Sequence, residues 1–285
     1  MLTHLKLHQG LWVLTGLLTL PAAIAGLWRP GIYRDIVRED IIPGAYSQDL
    51  ISAAAAIGLL FFALTRHSAR AKPQIVVLGL LGYLFYAYGV YVIERAYNGF
   101  YLAYMAIFAL SFWSLVCAGR SLRTDSFRPT LSLKLRLASA TGALLPPLIF
   151  YPLWIAMLLP LMNSGEQIDS LYSIFILDLC FIMPAFLILS VQTYRSRTVG
   201  LILLPALYIL GYTLIFSLAL GEAVKPLFGA PLNPASLLSS LALSLFFLVL
   251  GTLHLLRLRL MAPPIAAPPG TAKDNRPFGA EAAGD

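Results

Sequence analysis

Charge is what this 285-residue chain has least of: only 12% of its residues are charged, against 59% hydrophobic. Soluble domains carry about 25% charged residues, so a water-soluble globule is excluded, and so is disorder over most of the length. Mean hydropathy is +0.80. Cysteine is nearly absent as well. The two that occur, Cys117 and Cys180, cannot form a disulfide framework, and their positions predict opposite ends of the membrane. Histidine is scarce too, and His4, His8, His67 and His254 show no metal-ligand spacing, so neither a metal nor a haem cofactor is expected. No glycine-rich phosphate loop, H-E-x-x-H or G-x-S-x-G is present. No motif decides for or against an enzyme.

Long apolar runs are what the chain does have. Eight can be marked, at about Gly10–Trp28, Pro43–Thr65, Gln74–Ile93, Gly99–Ala118, Leu135–Leu161, Leu171–Tyr194, Val199–Leu220 and Ala235–Leu256. Each approaches or exceeds the roughly 20 residues a helix needs to cross a bilayer. Open strands leave backbone groups unsatisfied in lipid, so the expected fold is all-α, a polytopic membrane helix bundle of eight spans. Lys6, the apolar run and Ala23-Ile24-Ala25 resemble a signal peptide, but the run continues to Trp28 and reads better as a first span. The fifth segment contains Pro146, Pro147, Pro152 and Pro160, and each predicts a break or kink.

The net charge of +7 does not require nucleic acid as a partner. Arg and Lys gather instead in alternate loops: Arg66 to Lys72, Arg120 to Arg136, Arg195 with Arg197, and Arg257 with Arg259. Under the positive-inside rule both termini are cytoplasmic, in a cell inner membrane. The basic stretch Arg120–Arg136 suits anionic membrane lipid, so lipids and a small-molecule ligand are the partners expected. The sequence sets no oligomeric state. After residue 260 the Pro- and Ala-rich segment 261–285 reads as a disordered cytoplasmic tail.

Two sequence pairs share one spacing. Asp49-Leu50 and Asp178-Leu179 lie 129 residues apart, as do Leu81-Gly82-Tyr83 and Leu210-Gly211-Tyr212. This predicts an internal duplication, a parallel 4+4 repeat with halves 1–130 and 131–260 related by an axis along the membrane normal.

Asp178 stands in an apolar run with no local cation, and an acid inside a span faces a bundle interior or an aqueous cavity. It reads either as a proton carrier or as a packing residue bonded to a neighbouring hydroxyl. Asp49, near the start of its helix, also fits a helix-dipole role. Tyr83, Tyr86, Asn98, Tyr104 and Tyr212 complete the set expected to line an outward-facing polar cavity, whereas Tyr97 and Tyr101 suit the interfacial aromatic belt. Glu94-Arg95 reads as a solvated pair.

Gly31-Ile32-Tyr33, Gln48-Asp49-Leu50, Gly82-Tyr83-x-x-Tyr86-x-Tyr88, Asn98 with Phe100-Tyr101-Leu102-Ala103-Tyr104, and Asp178 with Pro184 run through most of the chain. Together they resemble an uncharacterised family of bacterial multi-pass integral membrane proteins. Tyr97 stands where that family is expected to carry Phe. The resemblance implies a bacterial inner membrane and weight on Asp49, Asn98 and Asp178, and it carries no activity. Three functions are open on these residues: a small-molecule transporter or ligand-binding permease, an integral-membrane enzyme acting on a lipid or isoprenoid, and a non-catalytic sensory or assembly module.

Overall fold

The computed structural model describes residues 1–34, 36–123, 128–168 and 172–261. Asp125 of the basic loop, Asp169, and the tail from residue 262 lie outside the described residues. Eight helices are long and apolar enough to cross a membrane, with mean hydropathies of 1.7 to 2.6. They are α1 (Leu5–Trp28), α2 (Ile42–Leu64), α3 (Ala71–Ile93), α4 (Tyr101–Ser121), α5 (Leu133–Ser164), α6 (Tyr172–Tyr194), α7 (Thr198–Val224) and α8 (Pro234–Arg257). The expected all-α membrane bundle is the observed fold. The helices overrun the apolar segments by a few residues at most ends, because backbone hydrogen bonding continues into the interfacial turns.

The eight helices form two groups of neighbours. In the first, α1 packs on α2 and α4, and α3 packs on α2 and α4. In the second, α6 packs on α5 and α7, and α8 packs on α5 and α7. The groups meet through α3 on α7, α2 on α7, and α3 on the first part of α6. Glycine allows the central crossing. A Cβ at Gly79 would lie 2.6 Å from Ile209 and 2.8 Å from the Ala206 carbonyl oxygen, so α3 approaches α7 at backbone distance.

The prolines of α5 do not interrupt it, contrary to expectation: one helix runs through all four. Neighbouring turns hold the ladder across isolated missing donors. The break in regularity falls instead in α6, where Asp178–Ile182 form a π-turn and the Met183 N–H donates to the Asp178 carbonyl. Pro184 follows directly and cannot supply an α-helical donor to the turn before it. The Tyr151 hydroxyl of α5 donates to the Leu179 carbonyl at 3.4 Å and satisfies part of this widened turn.

One end of the bundle is basic. There the N-terminal strand segment bonds to the end of α4, with Thr3 N–H donating to the Ser121 carbonyl at 3.1 Å. A two-stranded antiparallel sheet, β1 (Arg128–Thr130) with β2 (Arg259–Met261), ties the segment before α5 to the end of α8 on the same face. Every described Asp and Glu lies toward the opposite face.

Candidate functional site: two acid nests

Asp49 sits about two turns into α2, and its side chain is 1% exposed. Its Oδ2 accepts a hydrogen bond from the Tyr33 hydroxyl at 2.6 Å, and Oδ1 accepts one from the Tyr91 hydroxyl at 3.2 Å. Tyr33 comes from the short 3-10 turn Pro30–Tyr33 that folds back after α1, while Tyr91 comes from the last turn of α3. The carboxyl group therefore ties three segments together. On its remaining side lies α1, where a Cβ at Gly26 would fall 1.8 Å from Oδ2, so glycine at that position is a packing requirement.

Aromatic rings close the nest. Tyr33 stacks on Tyr91 with centroids 5.7 Å apart, Tyr91 stacks on Tyr104 at 4.9 Å, and Tyr88 tilts against Tyr104 at 5.6 Å. Asn98 donates from Nδ2 to the Tyr104 hydroxyl at 3.0 Å and accepts the Phe100 N–H at 2.9 Å, which fixes the entry to α4. Burial first, and then the Asp49 carboxyl, push the Tyr33 hydroxyl well above its ordinary pKa. Tyr33 is thus a permanent donor.

One turn deeper, the Tyr83 hydroxyl donates to the Gln48 carbonyl at 2.9 Å and lies 3.2 Å from Ser52 Oγ. Gln48 Nε2 donates to the Ala87 carbonyl at 3.0 Å. These bonds lock α2 to α3 just below Asp49.

Asp178 has a separate set of partners. Its Oδ2 accepts the Trp154 indole N–H from α5 at 2.8 Å. Tyr86 of α3 lies beside the same carboxyl group. Trp154 is held by stacking on Phe150 at 5.6 Å and by the edge of Phe175 at 5.4 Å. Asp178 therefore sits where one helix of the first group meets two of the second, at the residue that opens the π-turn.

The sequence-selected residues divide accordingly. Asp49, Asn98 and Tyr104 share the first nest, with Tyr83 beneath it. Tyr86 and Asp178 form the second. Tyr212 joins neither; it stacks on Phe216 at 5.4 Å. Glu94 does not pair with Arg95 as expected, since its Oε1 accepts the Ser173 N–H at 2.8 Å and caps the start of α6. Sequence reasoning missed Tyr91, Trp154 and Gly26, and it quoted Tyr33 and Tyr88 only in the motifs of the family resemblance without assigning them to the site. Tyr88 and Tyr91 repeat at helical spacing on the same helix as Tyr83, a signal that was available.

Rings pack closely around Asp49. The two best-formed cavities, of about 370 and 510 Å³, touch neither carboxyl group. The smaller is an apolar groove between α4 and α6, lined by residues such as Phe85, Phe112, Phe181 and Leu207. Side-chain rings fill the space at Asp49 that a ligand would need. Among the described residues, no three His, Cys, Asp or Glu come together to hold a metal. Both cysteines are free.

Eight spans with buried intramembrane acids define the class: this is an integral, multi-pass membrane protein with an all-helical bundle. No family model, curated protein or solved structure matches the chain.

Proposed function

We propose that the chain is a small-molecule transporter or ligand-binding, permease-like protein of a bacterial inner membrane. The basic face is cytoplasmic in this reading, with both termini on that side, because Arg and Lys concentrate there and the described acids face the other way. Residues 1–130 and 131–260 are its two parallel halves. The 129-residue spacing supports that division, as does the matching ring of helix neighbours in each group.

One observation carries the functional reading. Asp178, bonded to Trp154 of the second half, lies beside Tyr86 of the first at a π-turn. Such turns mark functional positions in many helices, and a carboxyl at a joint between halves is where a moving bundle would exchange partners or a proton. In this reading a polar path opens when the halves separate at this joint.

Thiol labelling tests this directly. Tyr86→Cys, in a chain whose Cys117 and Cys180 are replaced by serine, is expected to react with a membrane-impermeant maleimide added from the outer side. Asp178→Asn is expected to insert and fold while losing the protein's contribution to host growth. Asn keeps one acceptor for the Trp154 N–H but cannot exchange a proton. Complete protection of the reporter cysteine together with a fully active Asp178→Asn protein would sink the transport reading. A second reading, a non-catalytic sensory or assembly module, is favoured by the closure of the Asp49 nest, and it predicts that pair of results.

A further inference from the structure

Within the described residues the basic face has no acidic side chain, so its arginines have no ion-pair partner there. Cations without internal partners draw anions from outside, and at a membrane surface the available anions are lipid phosphates. Two of these arginines are not merely scattered on the surface. A cavity of about 510 Å³ opens between the start of α5 and the end of α8, and Arg257, Arg259, Thr130, Ser132, Leu135 and Leu253 line it.

Its frame is held in place. The end of α8 is pinned by Lys72 Nζ donating to the Leu256 carbonyl at 2.9 Å, and by His254 Nε2 with the Leu201 carbonyl at 3.0 Å. Leu258 is buried between the two arginines in sequence, so Arg257 and Arg259 are set by an anchored backbone. Arg259 stands directly opposite Thr130 in the β1–β2 register. Ser132 precedes α5 and makes no capping hydrogen bond to it, which leaves its hydroxyl free to serve the cavity.

We infer that this cavity binds the phosphate headgroup of an anionic phospholipid. Guanidinium groups match phosphate oxygens through paired N–H donors, and the Thr130 and Ser132 hydroxyls add two more donors. The same cavity contains the apolar half of a lipid site. Leu253 lies one helical turn before Arg257 on α8, on the same face and further into the span, and Leu135 faces it from α5. A soluble phosphate has no use for those leucines. A lipid uses both ends, with its headgroup on the arginines and the top of an acyl chain along the leucines. The site is independent of transport. It depends only on the protein lying in a bilayer.

The test uses the full-length protein, purified in detergent and mixed with phosphatidylglycerol or phosphatidylcholine, with bound lipids counted by native mass spectrometry. Wild type is expected to retain phosphatidylglycerol in preference to phosphatidylcholine. A surface cation contributes to anionic-lipid binding enough that Arg257→Gln should weaken retention about fivefold, and the double change with Arg259→Gln about thirtyfold. Arg66→Gln with Arg70→Gln, exposed on the same face outside the cavity, should leave it unchanged. Equal loss in that control pair would reduce the effect to diffuse charge and overturn the site. Full displacement of the lipid by inorganic phosphate would overturn the lipid assignment in favour of a soluble anion. Should the glutamine pair fail to fold, Arg257→Lys with Arg259→Lys preserves the charge. A several-fold loss there supports paired N–H recognition, and undiminished retention overturns it.

Discussion

Asp49 and Asp178 stand at matching positions 129 residues apart, yet their surroundings differ. Asp49 is bonded by two tyrosine hydroxyls, both from the first four-helix group and its loop, and α1 at Gly26 covers its remaining side. Asp178 is bonded by an indole N–H from its own group and lies beside a tyrosine of the other, in a helix that widens at that residue. The first arrangement fastens a group of helices to itself. The second lies where the two groups meet. A hydrogen-bonded network inside one rigid body adds to stability, whereas the same chemistry across a joint is available to change with position.

The most damaging change on the Asp49 side is expected at Gly26. Its missing Cβ would overlap Oδ2 at 1.8 Å, so Gly26→Ala forces either the carboxyl group out of its hydrogen bonds or α1 away from α2. Overpacking and a displaced buried polar group together should cost about 3 kcal/mol or more. The measurement is thermal stability in a single detergent, compared with Gly10→Ala. A Cβ at Gly10 meets nothing within 4 Å, and that variant should hold wild-type stability or gain slightly. Equal stability of the two variants would show that the nest is looser than the distances imply.

Removing one donor from each nest sharpens the comparison. Tyr33→Phe deletes the 2.6 Å hydrogen bond to Asp49 while keeping the ring that stacks on Tyr91, and a lowered stability of about 2 kcal/mol is expected. Trp154→Phe deletes the Asp178 bond but leaves the Tyr86 hydroxyl in place. Its effect should fall more on how the two groups move than on how each one holds together. Hydrogen exchange distinguishes them: Tyr33→Phe should loosen α1 to α3 together, and Trp154→Phe should raise exchange mainly around the π-turn. Identical exchange patterns would erase the distinction between fastening and joint.

The span count was legible because about 20 apolar residues in a row have few alternatives in lipid. The acids were legible for the same reason: charge inside such a run is costly and draws notice. Their partners were not. Tyr33 lies in a loop that composition marks as interfacial, and only the return of that loop over α2 brings its hydroxyl to Asp49. Trp154 is one more aromatic in a proline-rich helix until packing against α6 aims its N–H at Asp178. Tyr212 shows the reverse failure. Its Leu-Gly-Tyr matches that of Tyr83, but the Phe216 ring beside it replaces the α2 polar groups that Tyr83 finds. The four prolines of α5 suggested a break that did not occur, while Pro184 accompanied the one that did.

The smallest effect is expected at the nest tyrosine that contributes least as a donor. Tyr88 is fully buried among Tyr91 and Tyr104, and its hydroxyl has no hydrogen-bond partner among the described residues. Its ring fills the nest and its oxygen satisfies nothing there. Tyr88→Phe keeps the ring contacts and removes a buried polar atom without a partner, so stability should stay within about 0.5 kcal/mol of wild type or rise. Tyr91→Phe, one turn along the same helix, removes the one hydroxyl donor that Asp49 and the Ala45 carbonyl share and should cost more than 1 kcal/mol, by the usual price of a lost buried hydrogen bond of about 1–3 kcal/mol. The two variants differ from wild type by the same single oxygen, so packing and helix propensity cancel between them. A Tyr88→Phe loss equal to that of Tyr91→Phe would mean that the Tyr88 hydroxyl has a polar partner in the membrane, and the nest would have to be redrawn with Asp49 sharing its space.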